Sequence, residues 1–467
     1  MLSNKFALKT SVAVVLGALS AVANAQVDLD ASAPVSVKYA SEANISTSGT
    51  TLFDGGNAQR AVVTLGASLG TDVTGYVRVD LAGGNFVCSP TFAINAGGSP
   101  ANTVLSSGGN GTNFAIFAVS PITGAALIGT SSGTIDTASA STCGVRVTDK
   151  SGVAMTYRLF ESLTNAANPS STNTLKTRSG VSYVAFTPAL SVTSTSVNGA
   201  TADVGATNGA YTNFTPTGVK SLSSIAITEP GALLPATGLV ATDGDIAASG
   251  VVTVTGDFQG VRNSNGTYTG AALNRVYLSS GVDCSTTSAA ATALSATSAT
   301  FTSIAGADLA AASRQLCFTP EGTQELQAST YTGVLDLTAQ TGFTVTDPSL
   351  NIGAVTRNGI TAVAPLVQIP TGYLSRLVLV NRGSSSRVYT VTAVSESGVT
   401  LTLSGAAAGG TLAANQTSII DLPALISGGI RGSLVVTVNA PQSQVDLLYQ
   451  VVNPTAGSVS NMLLSYK

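Results

Sequence analysis

A period of two runs through the final stretch of this chain, from Ile369 to Lys467. Val399, Leu401 and Leu403 alternate with Thr400, Thr402 and Ser404, and Leu434, Val436 and Val438 alternate with Val435, Thr437 and Asn439. Val445, Leu447, Tyr449 and Val451 form a third run. Successive side chains of a strand point to opposite faces, so this spacing sets an apolar row against a core. Leu377-Val378-Leu379-Val380 is apolar on both sides and predicts a central strand. Asn381-Arg382-Gly383-Ser384, Gly409-Gly410 and Asn453-Pro454 supply turn chemistry between the runs. Short strands, frequent turns and no helical period predict an immunoglobulin-like β-sandwich. The rest of the chain follows the same grammar, so the expected fold is all-β, with sandwich domains in tandem.

The 467 residues suffice for several domains. The first 25 read as a cleaved leader. Lys5 and Lys9 form a basic start, Ser11 to Leu19 a short apolar core, and Ala23-Asn24-Ala25 a small-x-small site, so cleavage is expected between Ala25 and Gln26. The apolar run falls short of the roughly 20 residues that span a bilayer. Three sandwich domains are then expected, over 26–188, 189–362 and 363–467.

Only 9% of residues are charged, against about 25% in an ordinary soluble domain. Without Lys5 and Lys9 the formal balance is −5, which leaves no basic stripe for nucleic acid or anionic lipid. The surface must be built from Ser, Thr, Asn, Gly and Ala, and weak like-charge repulsion favours association. A disordered Ser/Thr-rich chain is the competing class, but 44% hydrophobic content in alternating runs can fill a core. The chain has no His, which excludes Ser-His-Asp and Cys-His catalysis and His-ligated metal sites. It has no Trp and only 5% aromatics, too few for the aromatic girdles of a membrane barrel.

Cys88, Cys143, Cys284 and Cys317 are the four cysteines. In an exported chain an even count predicts two disulfides, with three connectivities open. Cys88–Cys143 with Cys284–Cys317 is preferred, because each pair then lies within one expected domain. Zinc is disfavoured, since no two cysteines show close C-x-x-C spacing.

Along the chain, Gln26 to Ser32 reads as a polar lead. Strands are expected at Val35–Tyr39, Val62–Leu69, Tyr76–Asp80, Phe114–Val119, Val145–Val147 and Ala154–Leu159, with a Ser/Gly/Asn loop from Gly97 to Thr112 and a helical turn within Phe160 to Ala167. The middle stretch offers Val251–Val254, Asn274–Leu278, Leu316–Phe318 and Ser329–Leu337, the last with Tyr331 facing inward. Strand, Cys, Ser/Thr-rich loop, Cys, strand recurs in the first two expected domains without a fixed period.

Chemistry is sparse. Thr242-Asp243-Gly244-Asp245 places two carboxylates on one tight turn, which suits calcium or an ordinary solvated turn. It is no EF-hand, because Val254 stands where the twelfth-position acid belongs. Gly108-Gly109-Asn110-Gly111-Thr112-Asn113-Phe114 resembles a single calcium nonapeptide with Asn in place of Asp, and that motif works only in stacked copies. Asp243 and Asp245 lie too close in sequence to flank a glycoside. No Gly-x-Ser-x-Gly has a base to serve it, and no phosphate loop is present. The expectation is a protein with no catalytic residues, no enzymatic activity and no cofactor beyond the calcium option at Asp243 and Asp245.

Some segments carry a resemblance. The low charge, the leader, Val37-Lys38-Tyr39-Ala40-Ser41-Glu42, Tyr76-Val77-Arg78-Val79, Leu377-Val378-Leu379-Val380-Asn381-Arg382-Gly383 and the end from Asn453-Pro454 to Tyr466 resemble secreted surface-layer (S-layer) proteins of Gram-negative, betaproteobacterial type. The resemblance implies sandwich domains tiled into a porous sheet over the outer membrane, with the chain's partners being copies of itself and an outer-membrane component, and no nucleic acid. The rivals are a fimbrial subunit or adhesin, with Tyr466 in a donated strand, and a porin, which the Tyr466-Lys467 end does not favour.

Overall fold

The computed structural model describes residues 26–466, apart from 54–58, 96–100, 123–125, 139–141, 198, 205, 207, 209, 282, 306–313, 399 and 404–407. The expected leader with its expected cleavage residue Ala25, and Val399 and Ser404 of the first alternating run, lie outside the described residues. Within them the chain is all-β, and its helical elements are short, such as the five-residue Leu163–Ala167 and the six-residue 3₁₀ segment Gly270–Arg275. None of these helices is long and apolar enough to cross a membrane. Two compact units result. One takes the residues up to Ser191 with Thr228–Ala247 and Ala339–Val345; the other takes Val192–Ile227, Ala248–Thr338 and everything from Thr346 onward.

In the first unit a six-stranded sheet runs in the order Val37–Ala40, Lys176–Thr187, Val153–Phe160, Gly75–Ala82, Phe114–Pro121, Ala101–Gly108. It shares one core with a four-stranded sheet, which includes Arg60–Thr64 and Ser132–Asp136, and with a three-stranded sheet that includes Thr50–Leu52 and Val145–Val147. The alternation explains the core: Val77, Val79 and Leu81, then Met155, Tyr157 and Leu159, all turn inward. Inside it, fully buried Gln59 donates to the Tyr39 hydroxyl at 2.6 Å and accepts from Thr137 at 3.1 Å, and Thr137 meets Tyr183 at 2.8 Å. Those bonds satisfy polar groups that burial would otherwise penalise.

Three expected elements differ. The Gly97–Thr112 loop contains a strand, Ala101–Gly108, paired with Phe114–Pro121. An edge strand binds through its backbone, so Asn102, Ser106 and Ser107 need no apolar alternation to join it. The glycine segment from Gly108 is the hairpin turn, with φ of 74° at Gly108, 94° at Gly109 and 78° at Gly111. Asn274–Leu278 opens as a 3₁₀ turn that ends at Arg275, and the strand is Val276–Ser279. The strand expected at Val62–Leu69 runs instead over Arg60–Thr64, and Leu69 makes an isolated bridge to Leu127.

The polar lead is also more than a lead. Val27–Asp28 pairs in parallel with Ala61 and Val62, which carries Asp30 into a knot of cations. Lys176 Nζ lies 2.9 Å from Asp30 Oδ1, Arg178 Nε 2.5 Å from the same oxygen, and the Thr64 amide donates to Oδ2 at 2.6 Å. Burial works against ionising Asp30, yet the bonds from Thr64, Arg178 and Lys176 outweigh it and hold the carboxyl well below the usual carboxylate range. An unfolded aspartate titrates near 3.9. The stabilisation from Asp30 is therefore complete above about pH 5 and fades as pH falls toward the lower folded value. Asp30→Asn is expected to cost about 2 kcal/mol at pH 7, between an exposed and a buried pair. Urea midpoints from pH 7 to pH 2 check this: the wild type should lose its advantage over Asp30→Asn as the pH falls.

The second unit holds two sandwiches. The middle one faces a five-stranded sheet containing Arg314–Phe318 against a six-stranded sheet containing Ser329–Ala339. Phe318 and Tyr331, one from each, sit 6.2 Å apart with Phe258 packed on both. Tyr331 is 2% exposed, inward as expected, and its ring covers Gly256, where a Cβ would fall 2.1 Å from a ring carbon. The C-terminal sandwich pairs a five-stranded sheet with the four-stranded order Gln416–Asp421, Leu374–Asn381, Val445–Asn453, Ser458–Leu463. Leu374–Asn381 is central, as its sequence predicts. Leu434, Val436 and Val438 from one sheet meet Leu377, Leu379, Val445 and Leu447 from the other in one core.

Candidate functional site: an exposed sheet face

The outer face of the C-terminal four-stranded sheet is banded. Antiparallel register aligns Ile419 with Val378, Val378 with Leu448, and Leu448 with Leu463. One apolar row thus crosses all four strands, and Ile419 and Leu463 at its ends are 54% and 73% exposed. The next row is polar: Asp421, Arg376, Gln450 and Asn461. Arg376 Nε donates to Gln450 at 2.6 Å and Gln450 Nε2 donates to Asn461 at 2.7 Å. Beyond it lies a second apolar row, Leu374, Val452 and Val459. Neighbouring strands lie about 4.8 Å apart and alternate residues about 6.8 Å apart, so the three rows cover about 400 Å². Single exposed apolar residues are ordinary; here they stand in rows continuous across a sheet.

The residues singled out from sequence go elsewhere. Cys88 bonds Cys143, and Cys284 bonds Cys317. Asp243 and Asp245 open a one-turn helix, Asp243–Ile246. Asp245 Oδ2 accepts from the Thr242 amide at 3.0 Å and its hydroxyl at 2.7 Å, closing the turn. Asp243 is 5% exposed; its Oδ1 accepts from Gly244 N, and its own amide donates to Glu229. Among the described residues no three acidic or sulfur side chains converge as a metal site. Asp245→Ala is expected to cost about 1 kcal/mol, the worth of a helix start, and a thermal melt of the variant with and without calcium checks it: equal losses identify a cap. Tyr466 lies in Ser465–Tyr466, which pairs with Ala362 and Val363 of its own sandwich, and its hydroxyl donates to Val445 O at 3.0 Å.

One cluster has no local signal in the sequence. Tyr211, fully buried with φ of 63°, has the Arg357 guanidinium 4.3 Å and the Arg387 guanidinium 5.8 Å from its ring centre. Glu325 lies 2.7 Å from Arg357 and 3.4 Å from Arg387, whose side chains are 7% and 6% exposed. Burial pushes the Tyr211 hydroxyl up to about 12, against the pull of both arginines. The Glu325 carboxylate pairs with both guanidiniums, and the guanidiniums lie over the Tyr211 ring, so the cluster ties together separated stretches of the chain.

No family model matches the chain, and no curated protein matches it. Solved structures give faint likenesses. The C-terminal domain of the AgI/II polypeptide BspA from Streptococcus agalactiae is 11% identical, covering 59% of this chain and 100% of that one, with a TM-score of 0.18. The pilus backbone protein RrgB of Streptococcus pneumoniae is 8% identical, covering 92% and 88%, with a TM-score of 0.15. A putative membrane-anchored protein of Corynebacterium diphtheriae is 8% identical, covering 91% and 88%, with a TM-score of 0.17. Scores this low place no site or activity on the chain.

Proposed function

We propose that this chain is a structural protein of the cell surface whose copies associate into a two-dimensional surface layer. The observation that carries the reading is an apolar row that crosses four strands, half-buried at Val378 and Leu448 and exposed at Ile419 and Leu463, on a chain with only 9% charged residues. Such a surface meets a like surface with little charge to desolvate. The leader, the two disulfides and the all-β sandwiches suit a location outside the cell, where disulfides persist. The resemblance to Gram-negative surface-layer proteins adds the outer membrane as the supporting surface. We assign no catalytic residue, cofactor or nucleic-acid partner to it.

Negative-stain electron microscopy of the purified mature protein, and of cell envelopes, tests the reading. Periodic sheets are the expected result, equally in calcium and in chelator. Thin fibres would instead identify a fimbrial subunit, and dispersed monomers an adhesin. A barrel would require detergent for extraction.

A further inference from the structure

The banded face carries more information than its exposure, because its polar row has a direction. It reads Asp421, Arg376, Gln450, Asn461 from one edge strand to the other. Two copies can lay this face on itself by either of two in-plane two-fold axes. An axis perpendicular to the strands and running through the polar row sets each residue of that row on its own copy, so Asp421 faces Asp421 and Arg376 faces Arg376. Like charges placed together oppose that arrangement. An axis parallel to the strands, between Leu374–Asn381 and Val445–Asn453, reverses the row. Asp421 then meets Asn461, Arg376 meets Gln450, Ile419 meets Leu463 and Val378 meets Leu448. Every apolar residue of the long row faces an apolar one, and each charge of the polar row faces an uncharged hydrogen-bonding group.

We propose that this face is an isologous contact between two copies of the chain, stacked about a two-fold axis parallel to the strands. The proposal rests on the reading that copies associate and names the surface and symmetry they use. A C₂ contact requires self-complementarity, and the reversed row supplies it. The footprint, about 400 Å² of sheet per copy, is a small one beside stable complexes, which bury roughly 800 Å² of accessible surface per partner. The contact is therefore weak and reversible alone, and strong when further patches hold the same copies together.

Cross-linking tests it on the full mature chain. All four native cysteines are engaged in disulfides, so an introduced thiol is the only free one. An equimolar mixture of Ile419→Cys and Leu463→Cys chains should give a disulfide dimer under mild oxidation at least about fivefold faster than either chain alone, because within the pair each copy's Ile419 lies about 14 Å across the sheet from the other's. Asn461→Lys should raise dimerisation about threefold, since it meets Asp421 of the second copy and lies too far from its own. Leu463→Lys should lower it about tenfold, with an unchanged thermal melt as the folding control.

Rapid cross-linking of Ile419→Cys alone would overturn the proposed axis. Periodic sheets without the mixed cross-link would overturn this face while leaving the surface-layer reading intact. The mixed cross-link without sheets would uphold the face and sink the lattice. Flotation with phosphatidylethanolamine vesicles, lost in Leu463→Lys and without a cross-link, would identify lipid as the occupant and overturn the proposal.

Discussion

Reduction of both disulfides is expected to remove about 4 kcal/mol from each of the two regions they close, the largest loss available to any simple treatment of this chain. The figure comes from loop entropy, for sequence separations of 55 and 33 residues. Each bond sits where two paired strands meet the rest of a sandwich. Cys88 follows Asn85–Phe86 and Cys143 precedes Val145–Val147, and those strands pair through Phe86 and Val145. Cys317 lies in Arg314–Phe318 opposite Tyr277, whose hydroxyl donates to Cys284 O at 2.7 Å. The C-terminal sandwich contains no cysteine, and its core is closed by Leu377, Leu434 and Leu447 among others. Hydrogen exchange in reducing buffer reads the regions separately. Amides of Val145–Val147 and Val276–Ser279 should lose protection first, while those of Arg431–Val438 keep theirs. Equal loss in all three would show that the bonds act on the whole chain.

Asn381→Ala is expected to destabilise the C-terminal sandwich by about 3 kcal/mol, because several buried backbone groups lose their partner at once. Asn381 is 1% exposed at the end of the central strand. Its Nδ2 donates to Ser385 O at 2.8 Å, Ala413 O at 3.0 Å and Leu412 O at 3.3 Å, and its Oδ1 accepts from Gly383 N at 2.9 Å. One side chain thus shapes the turn and ties it to the next hairpin. Asn381→Asp should be worse than alanine at neutral pH. It keeps the acceptor for Gly383 but turns a carboxylate toward carbonyl oxygens, with no proton to offer. Urea midpoints and exchange at Arg431–Val438 measure both variants. A loss below about 1 kcal/mol for alanine would mean that water replaces the amide.

Much of the fold is legible because burial in a strand is a local, two-residue pattern. Leu434, Val436 and Val438 could be assigned to a core without knowing what they face. Asn381 was legible as turn chemistry, but its three acceptors were not. Ala101–Gly108 was hidden because an edge strand is held by backbone bonds that any polar residue can make. Asp30 was hidden because its cationic partners lie 146 and 148 residues away. Tyr211 and its arginines come from three separated stretches, and no window of sequence contains them.

The candidate face shows the division most clearly. The alternation of Val445, Leu447 and Tyr449 turns Leu448 away from the core, whereas Leu377-Val378-Leu379-Val380, apolar on both sides, leaves the direction of Val378 open; the composition determines that little charge surrounds them. Which outward residues stand abreast is a matter of register. A two-residue slip keeps every side chain on its face while changing all its neighbours. The turns and inter-strand bonds that set register act between distant segments. The tertiary structure therefore decided that Ile419, Val378, Leu448 and Leu463 form one row, and that the charges beside them run in an order that can pair with itself.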